Sequence, residues 1–283
     1  MTAGATTATS RRSTGEVHNP PADEHPPTRL ELLLDSDRAP LIVLLILVPL
    51  VCWSWIVVMA RDMYGPMTGA SAWTMTLRWD ARHVLLLWAM WAVMMAGMML
   101  PSAAPMLLLY GVAARRRGTG PRAAYEIYAL AAGYVAVWAL FSVVATATQR
   151  IFSMLLVVSP MMTLTSPTAG AALLLIAGLY QLTPLKRVCL QKCQSPLSFL
   201  MHRWRAGAAG AFRMGVGHGA FCLGCCWALM LLLFVGGVMN LIVIAALTAF
   251  VAFEKLGPFG VHGARLSGAL LLAAGVWILL RAA

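Results

Sequence analysis

Charge is scarce in this chain. Only 11% of its 283 residues are Asp, Glu, Lys or Arg, against 60% apolar, and the mean hydropathy is +0.79. Soluble domains carry about 25% charged residues, so a soluble enzyme with an added anchor is excluded and most of the chain is expected in lipid. Acids are scarcer still. There are ten, and six of them (Glu16, Asp23, Glu24, Glu31, Asp35, Asp37) precede residue 39. No ladder of carboxylates crosses the apolar runs, which argues against a proton-driven pump. A P-loop, a DKTGT-type phosphorylation sequence, a G-x-S-x-G and an H-E-x-x-H are all missing. An ATP-driven metal pump is therefore excluded within this chain.

What fills the sequence instead is a series of apolar runs near 40–60, 83–107, 124–147, 168–183, 214–236, 238–254 and 264–281. A crossing takes roughly 20 residues, so the runs predict an all-α, polytopic transmembrane bundle of about seven crossings over 40–283. Residues 1–39, rich in Thr, Ala, Pro and Arg and without helical periodicity, are expected to form a disordered tail. The short apolar stretch 151–165 ends at Ser166-Pro167 and is expected to lie at the interface without spanning. Lys and Arg number 21, for a formal charge of +11. They fall between the runs, where they set orientation and give no sign of a nucleic-acid partner. With the N-terminus in the cytoplasm, sixteen lie inside and five (Arg61, Arg78, Arg82, Arg150, Arg281) outside. That places the protein in the inner (plasma) membrane with a cytoplasmic Cys-bearing loop at 184–213.

Five of the six cysteines cluster. Thr183-Pro184 and Ser195-Pro196 read as helix starts, and on the first of these helices Cys189 and Cys193 are four apart and share a face. Then Met214, His218 and Cys222 follow as i+4 neighbours, with Cys225 and Cys226 three and four beyond. One helix thus carries thioether, imidazole and thiol along a stripe. Cys and Met select Cu(I), while Cys with His also suits zinc; copper(I) is favoured, with Cys189, Cys193, Cys222 and Cys225 as ligands and His218 and Met214 as auxiliary donors. Cys226, adjacent to Cys225, is placed beside that set. Gly215 and Gly219 form a GxxxG that permits close helix approach, expected to bring Cys189 and Cys193 against Cys222 and Cys225. Cys52, alone in the first run, reads as a small core hydrophobe.

Two other readings of the cysteines stay open. Cys222 and Cys225 have the C-x-x-C spacing of a membrane thiol-disulfide oxidoreductase, although the expected topology puts them where thiols stay reduced. Alternatively they only pack, in a structural subunit of a membrane complex. Methionine is the second enrichment. Ten of eighteen lie between Met59 and Met106, and Met90, Met94 and Met98 step by four along the second crossing. They are candidates for a transfer path for Cu(I), against the plainer reading that Met fills gaps in apolar helices. Pro101 and Pro105 should break this helix and free carbonyls that only a protein interior tolerates. Glu254 and Lys255 are expected at the inner rim beside the cysteines, as an interfacial ion pair or, alternatively, with one of them as a charge supporting the cysteine site, and Glu126 is expected to pair with nearby arginines.

The segment YQLTPLKRVCLQKCQSP (180–196), the following FLMHRWRAGAAGAFRMGVGHGAFCLGCCWALMLLLFVGGVMNL, the later Phe253-Glu254-Lys255 and MMAGMMLPSAAPM (94–106) resemble a family of bacterial integral membrane proteins described as predicted metal-binding. The similarity covers roughly residues 40–280. It implies membrane location and metal binding, with Cys189, Cys193, His218, Cys222, Cys225 and Cys226 at matching positions. The expected function is to hold a soft metal at a cytoplasmic-side site, for transport or for delivery to a metal chaperone or membrane-complex partner.

Overall fold

The computed structural model describes residues 39–65, 80–117, 122–155, 157, 159, 162 and 164–282. Residues 1–38 of the tail read over 1–39, Met67 and Met75, and part of the 151–165 stretch lie outside the described residues, and Ala39 is already helical. Among the described residues the chain is all-helical: α1 (Pro40–Met63), α2 (Ala81–Met99), α3 (Ala104–Arg116), α4 (Arg122–Met154), α5 (Pro167–Leu182), α6 (Pro184–Gln194), α7 (Pro196–Arg203), α8 (Gly207–Gly236), α9 (Leu241–Leu256) and α10 (Gly260–Ala282).

The helix starts follow the capping chemistry. Asp80 accepts the His83 amide, Ser166 that of Ala169, Thr183 that of Lys186 and Asn240 those of Ile242 and Val243. Ser195 holds the equivalent position on α7 without a side-chain bond. Six of the seven apolar runs each form a helix, and the run 83–107 divides into α2 and the start of α3. Five of these (α1, α2, α4, α8, α10) are long and apolar enough to cross a membrane, and the α5–α6 pair, bent by 65°, makes a sixth if taken as one span. α9 has 16 residues, about 24 Å at 1.5 Å per residue, short of the ~30 Å hydrocarbon core. α4 runs on through residue 154, so the irregular stretch before α5 is shorter than expected. Within it Thr165 N donates to the Val157 carbonyl, and Val238 N, in the link after α8, donates to that of Met162. Gly237 there has φ 92°, a conformation that suits glycine.

Glycines set the closest helix contacts. On α8 a Cβ at Gly215 would strike the Leu130 carbonyl, and one at Gly219 would lie 3.0 Å from Val137, so the GxxxG face packs on α4, with the two helices running the same way. This corrects the expectation that it draws α6 in. α5 and α10 run oppositely: Gly178 meets Gly268, and Gly275 meets Leu175 and Ala171. Three helices break around the middle of α8. α2 ends at Met99 before Pro101, α5 at Leu182 before Pro184, and α9 at Leu256 before Gly257-Pro258.

Candidate metal centre

The three breaks surround Cys222, which lies half-way along α8 rather than at its start. Cys222, Cys225 and Cys226 are fully buried and Cys193 is half-buried. The Cys225 Sγ is 3.2 Å from that of Cys226 and 3.9 Å from that of Cys193, and it donates to the Cys222 carbonyl at 3.1 Å. Cys189 reaches α8 at a different glycine from those expected. A Cβ at Gly224 would sit 2.7 Å from the Cys189 Sγ, so the bare backbone there admits the thiol. None of the six cysteines is disulfide-bonded.

The Cys222 sulfur faces oxygen and nitrogen instead. The Tyr134 hydroxyl is 3.0 Å away, and the Lys255 ammonium donates to the sulfur at 2.8 Å. Lys255 also donates to Ser102 Oγ at 3.0 Å and approaches Met99 Sδ at 3.8 Å. The Met99 carbonyl, freed by the helix break, accepts from both Ser102 and Tyr134, as the prolines led one to expect.

Beside this lies a second buried charge cluster. Lys186, fully buried, bonds Glu254 Oε2 and the Cys225 carbonyl, each at 2.6 Å. Gln181 donates to the other Glu254 oxygen at 2.8 Å, Gln194 donates to its carbonyl at 2.7 Å, and the Tyr180 hydroxyl donates to the Gly224 carbonyl. The rim ion pair is thus corrected and the alternative, a charge beside the cysteines, is what Lys255 provides: consecutive residues on a helix point apart, so Glu254 turns to Lys186 and Lys255 to Cys222, both inside the protein. Glu126 accepts from the Tyr110 hydroxyl at 2.9 Å in place of an arginine. Burial and this carboxylate raise the Tyr110 phenol well above its ordinary pKa.

His218, one turn before Cys222, is buried between Tyr134 and Phe199, with ring centroids 5.8 and 5.7 Å away. Its Nδ1 has no partner. Leaving such a nitrogen unsatisfied costs about 1–3 kcal/mol, and a soft cation is a partner that would satisfy it. Met214 accepts the Arg205 amide at 3.3 Å through its sulfur. Met90, Met94 and Met98 are buried in the core, and the α2 methionine that reaches the sulfur centre is Met99. Cys52 packs on Gly97, where a Cβ would come within 2.9 Å of its own. Among the described residues no three His, Cys, Asp or Glu side chains form a group already spaced to hold an ion.

The family model PpoB2, described as copper chaperone, matches residues 88–278, about two thirds of the chain. The chain belongs to this copper chaperone family. The matched span contains every residue of the sulfur centre and both lysines, and leaves out α1 with Cys52. No match was found among curated proteins or among solved structures. For a copper chaperone family the donor set is apt, since thiol, thioether and imidazole are the ligands that select Cu(I). The residues that composition alone did not single out are Tyr134, Ser102, Met99 and Lys186. Met99 carried a signal in the methionine-rich run, Ser102 lies in the segment that carries the family resemblance, and Lys186 is an ionisable residue next to an apolar run.

Proposed function

We propose that this protein is an integral membrane carrier of copper(I), which receives the ion at the sulfur centre and delivers it to a partner protein or across the membrane. Copper is cargo here. The observation that carries the reading is the convergence of Cys193 with Cys225 and Cys226 at contact distance, beside Cys222, in a buried site built where α6 meets the middle of α8. Membership in a copper chaperone family supports copper as the metal. Five helices apolar enough to cross a bilayer support the membrane setting. The seven apolar runs support seven crossings, and the distribution of Lys and Arg supports a cytoplasmic N-terminus in the inner membrane.

In this reading Cys193, Cys222, Cys225 and Cys226 offer the sulfurs, Cys189 stands against Gly224 as a further donor, and His218 offers its free nitrogen. Two or three donors satisfy Cu(I), so the set does not have to close a tetrahedron as zinc would require. A thiolate sulfur has three lone pairs, so Cys222 accepts from Lys255 and binds copper at the same time.

The test is metal analysis of the purified protein after loading with Cu(I) under reducing conditions. The parent chain and Cys52→Ser should retain stoichiometric copper, and the double variant Cys222→Ser/Cys225→Ser should retain none. A double variant that still holds copper at the parent level refutes the site. Mass spectrometry of the copper-free protein after oxidation separates the thiol-exchange reading, which requires a reversible Cys222–Cys225 bond.

A further inference from the structure

Outside the sulfur centre, a strongly basic recess lies where α7 meets the start of α8. A cleft of about 460 Å³ is lined by His202, Arg203, Arg205 and Arg213, with Phe199, Met214 and Gly217 among its remaining walls. A second recess of about 300 Å³ shares Phe199, His202 and Arg203 with it and adds Lys192. No carboxylate among the described residues lines either one. Arg203 lies over the Phe199 and Phe221 rings, and Trp204 is stacked on Tyr110 and covered by Arg117.

The position of the cleft gives the charge a meaning. Met214 and Gly217 are on the face of α8 that continues to His218 and Cys222, and Phe199 packs edge-on against the His218 ring at 5.7 Å. The cleft therefore opens onto the foot of the Met214, His218, Cys222 ladder. A bare monovalent cation is repelled by three guanidinium groups. A copper ion held by two thiolates carries a net negative charge, and carboxylates on the same carrier would add to it. Guanidinium groups bind carboxylates through paired hydrogen bonds, and a recess of this volume suits a small molecule rather than a protein domain.

We propose that this cleft binds a small anionic thiol complex of copper(I) and positions it for transfer to the sulfur centre. The inference rests on the copper reading above and adds the carrier. Transfer is a ligand exchange in which copper stays monovalent. Copper–sulfur bonds to the carrier break as bonds to the protein's donors form, and each departing thiolate takes up the proton released by the cysteine thiol that replaces it. No oxidant or reductant is consumed.

The experiment uses the full chain in nanodiscs of phosphatidylcholine, with stopped-flow measurement of copper delivered from the Cu(I)–glutathione complex or from tetrakis(acetonitrile)copper(I), a cation. Arg205→Gln/Arg213→Gln should slow delivery from glutathione about tenfold or more, with no slowing from the cationic source, and Arg205→Lys/Arg213→Lys should restore most of the rate. The Arg205 contact to Met214 runs through the backbone amide and survives these changes. Raised salt should slow the glutathione route in the parent chain alone. Equal rates in parent and variant overturn the proposal, and so does equal slowing with both sources. An effect that appears only in discs containing anionic phospholipid assigns the cleft to a lipid headgroup and also overturns it. If the parent takes copper from neither source, the copper reading itself fails, which differs from copper taken up without regard to its carrier.

Discussion

His218 carries the sharpest conflict between stability and use. A buried imidazole nitrogen without a partner is a cost to the metal-free fold, so replacing it with a leucine removes a penalty of about 1–3 kcal/mol. His218→Leu should therefore raise the thermal midpoint of the copper-free protein, while its copper is lost at lower competitor concentration than in the parent. A histidine kept only for packing would give the first result without the second. Gly224 poses the converse case. A methyl group there would stand 2.7 Å from the Cys189 sulfur, and the thiol has to give way. Gly224→Ala should weaken copper retention and cost roughly 1–3 kcal/mol from overpacking, whereas Gly217→Ala, whose added carbon meets Phe199 at an ordinary 3.5 Å, should not perturb the fold. Paired thermal unfolding and copper competition on both variants check this.

Among the elements, α6 is the one whose position decides whether the centre exists, because it supplies two thiols on a helix of only 11 residues. Lys186 holds it, joining the Glu254 carboxylate on α9 to the Cys225 carbonyl on α8. Removing one member of a buried pair costs about 3–5 kcal/mol, while replacing both by apolar residues is often close to neutral. Lys186→Met and Glu254→Met should each lower stability in detergent by that amount, and the double variant should recover most of it. Equal losses in the single and double variants would mean that the pair is not what anchors α6. Helix identities were legible in the sequence because Ser166-Pro167, Thr183-Pro184 and the apolar runs are local signals, and the i+4 cysteine pairs follow from helical pitch alone. The partners were not. Nothing in the order of residues says that Gly215 and Gly219 face α4 while Gly224 receives Cys189, or that Glu254 and Lys255 turn inward, because these are set by which faces meet across the bundle. Tyr134 and Ser102 are ordinary helix residues until the break at Pro101 brings a free carbonyl beside them.

On the scale of the whole molecule, the open quantity is the orientation of the bundle in the membrane. The packing itself constrains direction: α4 and α8 run the same way and α5 runs against α10, as alternation through seven crossings requires. Yet α5 and α9 have 16 residues each and stop around the middle of α8, where their polar ends find partners inside the protein rather than in lipid headgroups. Burying Lys186, Glu254 and Lys255 is tolerable there because each is bonded to protein groups, and the region beyond the breaks is filled by α3, α6 and α7. Charge asymmetry puts Arg117 inside and Arg281 outside if both short helices cross. An Arg117→Cys variant should then resist a membrane-impermeant maleimide in intact cells and react after permeabilisation, and Arg281→Cys should react in intact cells. Should the bundle sit the other way round, α10, which runs against α5, would end inside and α3 outside, so Arg281→Cys would be shielded and Arg117→Cys would react in intact cells. That one comparison against the parent chain decides which way the bundle is oriented, and with it the side from which the basic cleft and the sulfur centre are reached.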